Sequence, residues 1–528
     1  MTSARGILAL STAVALASCQ TTPPLADFAD LLIMGGTLHD GSGADGRSAS
    51  VLVDDGKIVR IVSVNEPLPF ARKVIDARGF VIAPGFIDPH THAGSDLASN
   101  DAKRRANLAF AFQGVTTVVV GNDGFGAPDI AAQAIAAREN GIGTNVAFLV
   151  GFGPIRETVI GDANRAPTDA EIDEMRTITR QAMCEGAWGL STGLYYAPQN
   201  YAATDEVTEL AKEVSALGGY YDTHMRDEST YNITVEGALA EALQIGRGAQ
   251  IPVHIAHIKA LGPAVWGHSA QMIAMIETAR AAGQRVTADQ YPWEASGTRV
   301  SNALVPRWAL EGGLDALRER LRDLGQAARI REGIAKAYER RGGADRLLVT
   351  GPLHGAEVSV GSTLAEIAKK QAVDPVDAAI SILMEGDARV ASFNMSAADI
   401  ARFAAQDWVV TGSDGSTGHP REYGSFPKAY QDLVNGDVGM SMERFVQRSS
   451  AQTADILGLT DRGRIAAGLA ADVVVFDPDE FAPRATYQSP RELSVGVRHL
   501  LINGELVVSD GEYTGALPGL PLLKEASC

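Results

Sequence analysis

Ten histidines are spread through 528 residues, and four of them, together with two aspartates, stand where apolar runs end. His90 and His92 close the run that begins at Val81, Asp123 closes the run from Thr116, and His224, His257 and Asp414 close later ones. Each position alone is unremarkable: a histidine on a strand usually belongs to the core or the surface, and an aspartate after an apolar run is usually a helix N-cap. Recurring at the same point of successive runs, they call for chemistry. Neutral imidazoles plus carboxylates, with a position left for water, suit a catalytic divalent ion such as zinc. Side chains two apart on a strand share a face, so His90 and His92 point the same way. By the same rule His254, three residues before His257, faces the opposite side and reads as structural. His39, His268, His354 and His499 read as structural too, whereas His419 lies close to the proposed site.

The elements that must position these residues are eight apolar runs: 81–92, 116–123, 144–153, 187–196, 219–226, 252–259, 285–293 and 407–414. They alternate with helical stretches, the βα pattern of a parallel sheet. Eight such units predict a closed (β/α)8 TIM-like barrel over 83–463, in which the C-terminal strand ends converge on one catalytic face. A charged helical stretch, 308–346, sits in an insertion over 302–350 and is a candidate lid at the barrel mouth. Short strands, with Asp55-Gly56 as a hairpin turn, occupy 30–82, and matching strands recur over 464–512. Neither stretch is large enough to be stable alone, so the two chain ends are expected to combine into one small β-sandwich domain. Residues 513–528 form a C-terminal tail.

The chain is 45% hydrophobic and carries a formal net charge of −18. So acidic a surface repels phosphate backbones, which argues against nucleic-acid binding. At the N-terminus Arg5 precedes an apolar stretch, Gly6 to Ala17, too short to span a membrane as a mature helix. Leu16-Ala17-Ser18-Cys19 then resembles a bacterial lipobox. This predicts a signal peptide over 1–18, a lipidated Cys19 and a tether over 19–29, and Gln20 after the cysteine by resemblance favours outer-membrane sorting. Cleavage after Ala17 to give a soluble periplasmic or secreted protein is the alternative. Beyond Cys19 only Cys184 and Cys528 remain; two cysteines in so long a chain do not make a disulfide scaffold, and both are expected to be unpaired.

An ordered set of motifs resembles the amidohydrolase superfamily, and within it the N-acyl-D-amino-acid deacylases (D-aminoacylases). It comprises Pro84-Gly85-Phe86-Ile87-Asp88-Pro89-His90-Thr91-His92, Gly114-Val115-Thr116-Thr117, Tyr221-Asp222-Thr223-His224, His254-Ile255-Ala256-His257-Ile258-Lys259 and Asp289-Gln290-Tyr291-Pro292. Gly412-Ser413-Asp414-Gly415, His419-Pro420-Arg421 and Gly463-Arg464-Ile465 with Ala471-Asp472 complete it. The resemblance implies that His224 and His257 hold a tightly bound zinc and that His90 and His92 form a weaker second half-site, giving one or two ions. It also implies that Asp414 is the general acid/base, that Tyr196 polarises the carbonyl, and that Lys259, Tyr291 and Arg421 grip the substrate carboxylate. Two fixed cations facing a carboxylate would select free N-acylated amino acids, or dipeptides, over internal peptide bonds. The sequence departs from the family at three places: Asp123 replaces a metal-bridging cysteine, Tyr195 a common glutamate, and Gly297 stands near a common hydroxyl. The function implied is zinc-dependent removal of the acyl group from N-acyl-D-amino acids. A dipeptidase, lactonase or cyclic-amide hydrolase on the same metal site is an alternative, as is a non-catalytic binding lipoprotein or a structural surface protein.

Overall fold

Each of the eight apolar runs contributes one parallel strand: β1 (Phe86–Asp88), β2 (Val115–Val120), β3 (Asn145–Gly151), β4 (Gly189–Gly193), β5 (Tyr220–His224), β6 (Val253–Ile255), β7 (Val286–Gln290) and β8 (Val409–Thr411). They pair in sequence order from β1 to β8, and a parallel bridge between Thr91 and Gly415, with His92 N–H donating to the Gly415 carbonyl at 2.9 Å, joins the last strand to the first. The computed structural model describes residues 28–436 and 438–528, so the lipobox and Cys19 lie outside the described residues. Strands β2 and β3 are buried along their whole length, as expected where helices cover one side and barrel filling the other.

Between β7 and β8 the chain leaves the barrel. The expected helices are present, notably Gly313–Arg322 and Leu324–Arg341, but the excursion also contains a three-stranded antiparallel sheet of Ser296–Arg299, Leu347–Leu353 and Asp387–Ser392. A reading by helical charge pattern over 302–350 does not see this sheet, because its strands are short and lie at or beyond that stretch's ends. The excursion has its own apolar core around Leu304, Ile330, Ile334, Leu347 and Leu383.

The two chain ends do merge. Val473–Phe476 pairs antiparallel with Val81–Pro84, the strand leading into β1, so early and late strands share one nine-stranded sheet. That sheet branches at its first strand, Ala29–Leu38, which pairs with Ala71–Asp76 at its start and with Val81–Pro84 at its end. The late Ala471-Asp472 motif is structural: Asp472 is buried beneath the barrel, ion-paired with Arg462 and accepting from Asn145 Nδ2 (3.0 Å) and Asn503 N–H (2.7 Å). No helix among the described residues is long and apolar enough to cross a membrane.

One expectation is overturned at the C-terminus. Cys184 and Cys528 form a disulfide across 344 residues of sequence, with Cα atoms 5.9 Å apart. The residues before Cys528 are not free: Pro521–Leu522 adds a short parallel strand to β3, and Trp188 Nε1 donates to the Leu522 carbonyl at 2.7 Å. Docking of the tail brings its last residue to the end of helix Asp169–Cys184, a proximity that cysteine spacing could not reveal. Cross-links that close long loops stabilise by roughly 2–4 kcal/mol. Cys528→Ser is therefore expected to lower stability by about that amount, measured by denaturant unfolding; wild type with reductant should match the variant, and the variant should not respond to reductant.

Candidate active site

All six chemistry-bearing residues found from the strand ends meet at one mouth of the barrel. His90, Asp123, His224, His257 and Asp414 are buried, while His92 is partly open. Three of them, Asp123, His257 and Asp414, have positive φ of 56°, 35° and 47°. Such backbone is uncommon for any residue but glycine and is held only where the surroundings over-determine it. It also corrects one inference. Strand β6 stops at Ile255 and the turn at His257 breaks the alternation, so His254 does not face away but also points inward, hydrogen-bonded to Asp289 (3.1 Å) and Thr287 (2.8 Å).

The donor atoms cluster within 3.0–3.8 Å of one another, spacings that suit ligands sharing one cation. His224 Nδ1, His257 Nε2 and Asp123 Oδ1 form a triangle with sides of 3.0, 3.2 and 3.5 Å. His90 Nε2 lies 3.4 Å from Asp123 Oδ1 and 3.8 Å from Asp414 Oδ1; His92 Nε2 lies 3.6 Å from Asp123 Oδ2 and 3.1 Å from Asp414 Oδ1. Ligands 2.0–2.1 Å from a tetrahedral zinc sit about 3.3 Å from one another. Both ring nitrogens of His90 are buried without a hydrogen-bond partner among the described residues, which an apolar or purely hydrogen-bonded site would not leave. The residues therefore fit a divalent cation. Asp123 lies between the two half-sites, Oδ1 toward His224 and His257 and Oδ2 toward His92: the cysteine-to-aspartate departure puts a two-oxygen ligand where bridging is geometrically open.

The carboxylates give the site an excess of negative charge that favours positive charge placed among them. Burial would raise Asp123, but His224, His90 and His257 outweigh it and hold the carboxyl well below its usual range. Burial and Lys259 oppose charge on His257, yet Asp414 and Asp123 lift the ring to about 10. Burial of His90 dominates its carboxylate neighbours and lowers it to about 3, keeping it neutral. Burial also opposes ionisation of Asp414, but Arg421, at 2.7 Å, together with the imidazoles keeps it ionised.

The remaining expected residues line the same cavity of about 380 Å³. The Tyr196 ring packs 4.8 Å from His224, and burial followed by the nearby carboxylates raises its phenol, which stays a protonated donor. The Tyr291 ring lies under both Arg421 (4.9 Å) and Lys259 (5.7 Å). Arg421 Nε and the Tyr291 hydroxyl are buried donors with no partner among the described residues. Lys259 is already committed, its Nζ 2.8 Å from Glu228. Tyr195, the glutamate departure, points its hydroxyl at the Asn302 carbonyl and lies under Arg307, tying the barrel to the insertion.

This arrangement has known counterparts. The amidohydrolase family model matches residues 73–508. The chain belongs to the amidohydrolase family. It is 32% identical to the D-aminoacylase of Alcaligenes xylosoxydans xylosoxydans, over 94% of this chain and 98% of that one, and 32% identical to the N-acyl-D-glutamate deacylase of the same organism, over 94% and 97%. The crystal structure of N-acyl-D-glutamate deacylase from Bordetella bronchiseptica, complexed with zinc and a phosphonate mimic of the tetrahedral intermediate, superposes with a TM-score of 0.80 at 31% identity, covering 94% of this chain and all of that one. The protein is a (β/α)8-barrel hydrolase of amide C–N bonds.

Two parts of this amidohydrolase's site escaped sequence reasoning. Glu228 is buried four residues after His224, with Oε2 3.5 Å from His224 Nε2 and Oε1 3.4 Å from His257 Nδ1. These are the ring nitrogens turned away from Asp123, so Glu228 is placed to orient both imidazoles from behind. Its sequence signal was the His-x-x-x-Glu spacing, but Glu228 lies beyond the end of β5, where strand alternation says nothing. Beneath the donor cluster, Asp289 sits 3.8 Å from His90 Nδ1 and in hydrogen-bond contact with His254, a support that only barrel closure assembles. His419 supports Arg421: its Nδ1 accepts from the Arg421 backbone N–H (3.1 Å), and its Nε2 meets the Ala295 carbonyl (3.0 Å). His257 belongs to both buried donor groups, His90–Asp123–His257–Asp414 and His224–Glu228–His257. His257→Asn is accordingly expected to cut bound metal at least tenfold, measured by elemental analysis after equilibration with limiting zinc, with the fold retained by circular dichroism.

Proposed function

We propose that this amidohydrolase removes the acyl group from N-acyl-D-amino acids, using zinc held by His90, His92, Asp123, His224 and His257. The observation that supports it best is the juxtaposition, in one cavity, of the metal-donor cluster with a cationic wall that has unspent donors, Arg421 Nε and the Tyr291 hydroxyl. The bound ion would supply Lewis acidity, polarising a carbonyl and acidifying water. Arg421 and Tyr291 bind the α-carboxylate of the substrate, with Lys259 completing that wall. Buried cations of this kind recognise a free carboxylate because their donors would otherwise go unpaired. Tyr196, kept protonated, donates to the acyl oxygen as negative charge develops there. Asp414, kept ionised by Arg421, takes the proton of the attacking water and returns it to the leaving nitrogen. The products are a carboxylic acid and a free amino acid, and the D configuration is supported by the names of the relatives.

Asp414→Asn keeps the size of the side chain and removes its basicity. It is expected to lower kcat by at least a thousandfold with metal content little changed, tested on paired N-acetyl-D- and N-acetyl-L-amino acids; near-normal turnover would remove Asp414 from this role.

For location, we propose export, with Cys19 carrying a lipid on the periplasmic face of an outer membrane. The Cys184–Cys528 disulfide supports an oxidising compartment. In the native host, Cys19→Ala should move the protein from the membrane to the soluble fraction, followed by immunoblot of separated envelopes.

A further inference from the structure

The insertion sheet puts two arginines side by side at the cavity wall. In the antiparallel pairing of Ser296–Arg299 with Asp387–Ser392, Arg299 stands directly opposite Arg389. Residues directly opposite share a face of the sheet, and like charges there are destabilising unless something compensates. Neither guanidinium forms an ion pair or side-chain hydrogen bond among the described residues, although both line the cavity that holds the metal donors. Burial and then Arg299 press on the charge of Arg389, joined by Arg491 and Arg421; against them stands Glu422, whose own carboxyl is pushed up to about 7 by burial.

The face they share is the Arg421 face. A Cβ on Gly297 would lie 3.2 Å from the Arg421 guanidinium carbon and 3.3 Å from His419, so Gly297 looks directly at them. Alternation then turns Arg299, two residues on, to the same side. Two residues of strand advance about 7 Å, and with no side chain at Gly297 that interval is clear. The shaft of Arg389 lies against the loop that follows Asp414: a Cβ on Gly418 would come within 3.1 Å of Arg389 Cδ. Arg389, together with Thr350, Thr417 and Gly418, also lines an adjoining outer cavity of about 570 Å³, so it borders both spaces.

We infer that Arg299 and Arg389 form a second anion subsite, and that the substrate carries a further carboxylate beyond the α-carboxylate assigned to Arg421. The inference rests on the deacylase reading for the placement of the α-carboxylate. An acidic amino-acid side chain or a dicarboxylic acyl group would each supply such a carboxylate. A hydrogen bond to a charged partner is expected to tighten binding roughly tenfold or more.

The test measures calorimetric affinity on metal-loaded protein in the Asp414→Asn background, so binding is read whether or not a compound is turned over. N-acetyl-D-glutamate is compared with N-acetyl-D-glutamine, and N-succinyl-D-leucine with N-butyryl-D-leucine. At least one dianion should bind tenfold or more tightly than its matched neutral at low salt, and the pair that responds identifies the source of the second carboxylate. Arg389→Gln should bring that ratio within threefold of unity and Arg389→Lys should restore part of it. Arg299→Gln, at an exposed position, provides the same reading should the Arg389 variant melt early. Ratios near unity in the parent for both pairs, or a preference that neither glutamine variant reduces, would overturn the subsite. Failure of the deacylase reading would show separately, as no turnover of any of the four compounds by the wild-type chain.

Discussion

A buried carboxylate surrounded by imidazoles organises this protein. Asp123 has almost no access to water, yet it is held ionised because three histidine rings from three other strands converge on it. Stripping a carboxylate of water costs several kcal/mol unless charge of opposite sign is supplied nearby. That demand can be met only if the first, second, fifth and sixth barrel strands end at the same height around one point. Barrel closure is therefore a condition of the site as well as its scaffold, and the left-handed backbone at Asp123, His257 and Asp414 is a local strain the closed barrel maintains.

Around this centre the structure is built in shells. Asp289 and Glu228 face the back nitrogens of the histidines, so that each ring presents its other nitrogen to the shared point. Arg421 holds Asp414 ionised while stacking on Tyr291, and His419 fixes the backbone of Arg421. The insertion supplies the outer wall and is fastened to the barrel by Tyr195. The tail strand, paired with the start of β3, and the Cys184–Cys528 bond close the fold at the other end of the barrel.

The departures from the family pattern each have a physical reading in this arrangement. Aspartate in place of cysteine keeps a negative, two-sided donor between the half-sites. Tyrosine in place of glutamate at 195 exchanges a charge for a strut to the Asn302 carbonyl. Glycine at 297 leaves the interval beside Arg421 open, which is where Arg299 and Arg389 gain significance.

Much of this fold is legible in the sequence. Period-two patterning and the repeated strand–helix alternation determined the eight strands, and the polar residues ending them marked the face where the donor cluster lies, because a strand's hydrophobic run must stop where its side chains meet water or a ligand. The sequence also pointed to the two chain ends combining into one small β domain, expected as a sandwich, since neither has enough apolar surface to be stable by itself; that they share a single nine-stranded sheet was decided by the tertiary structure. Tertiary structure alone decided the Cys184–Cys528 pairing, the inward turn of His254, the place of Glu228 and the cross-strand arginines. Each of these depends on which distant segments become neighbours or on a backbone turn that breaks alternation. Local periodicity carries information about faces along one element; it carries none about which two elements will face each other.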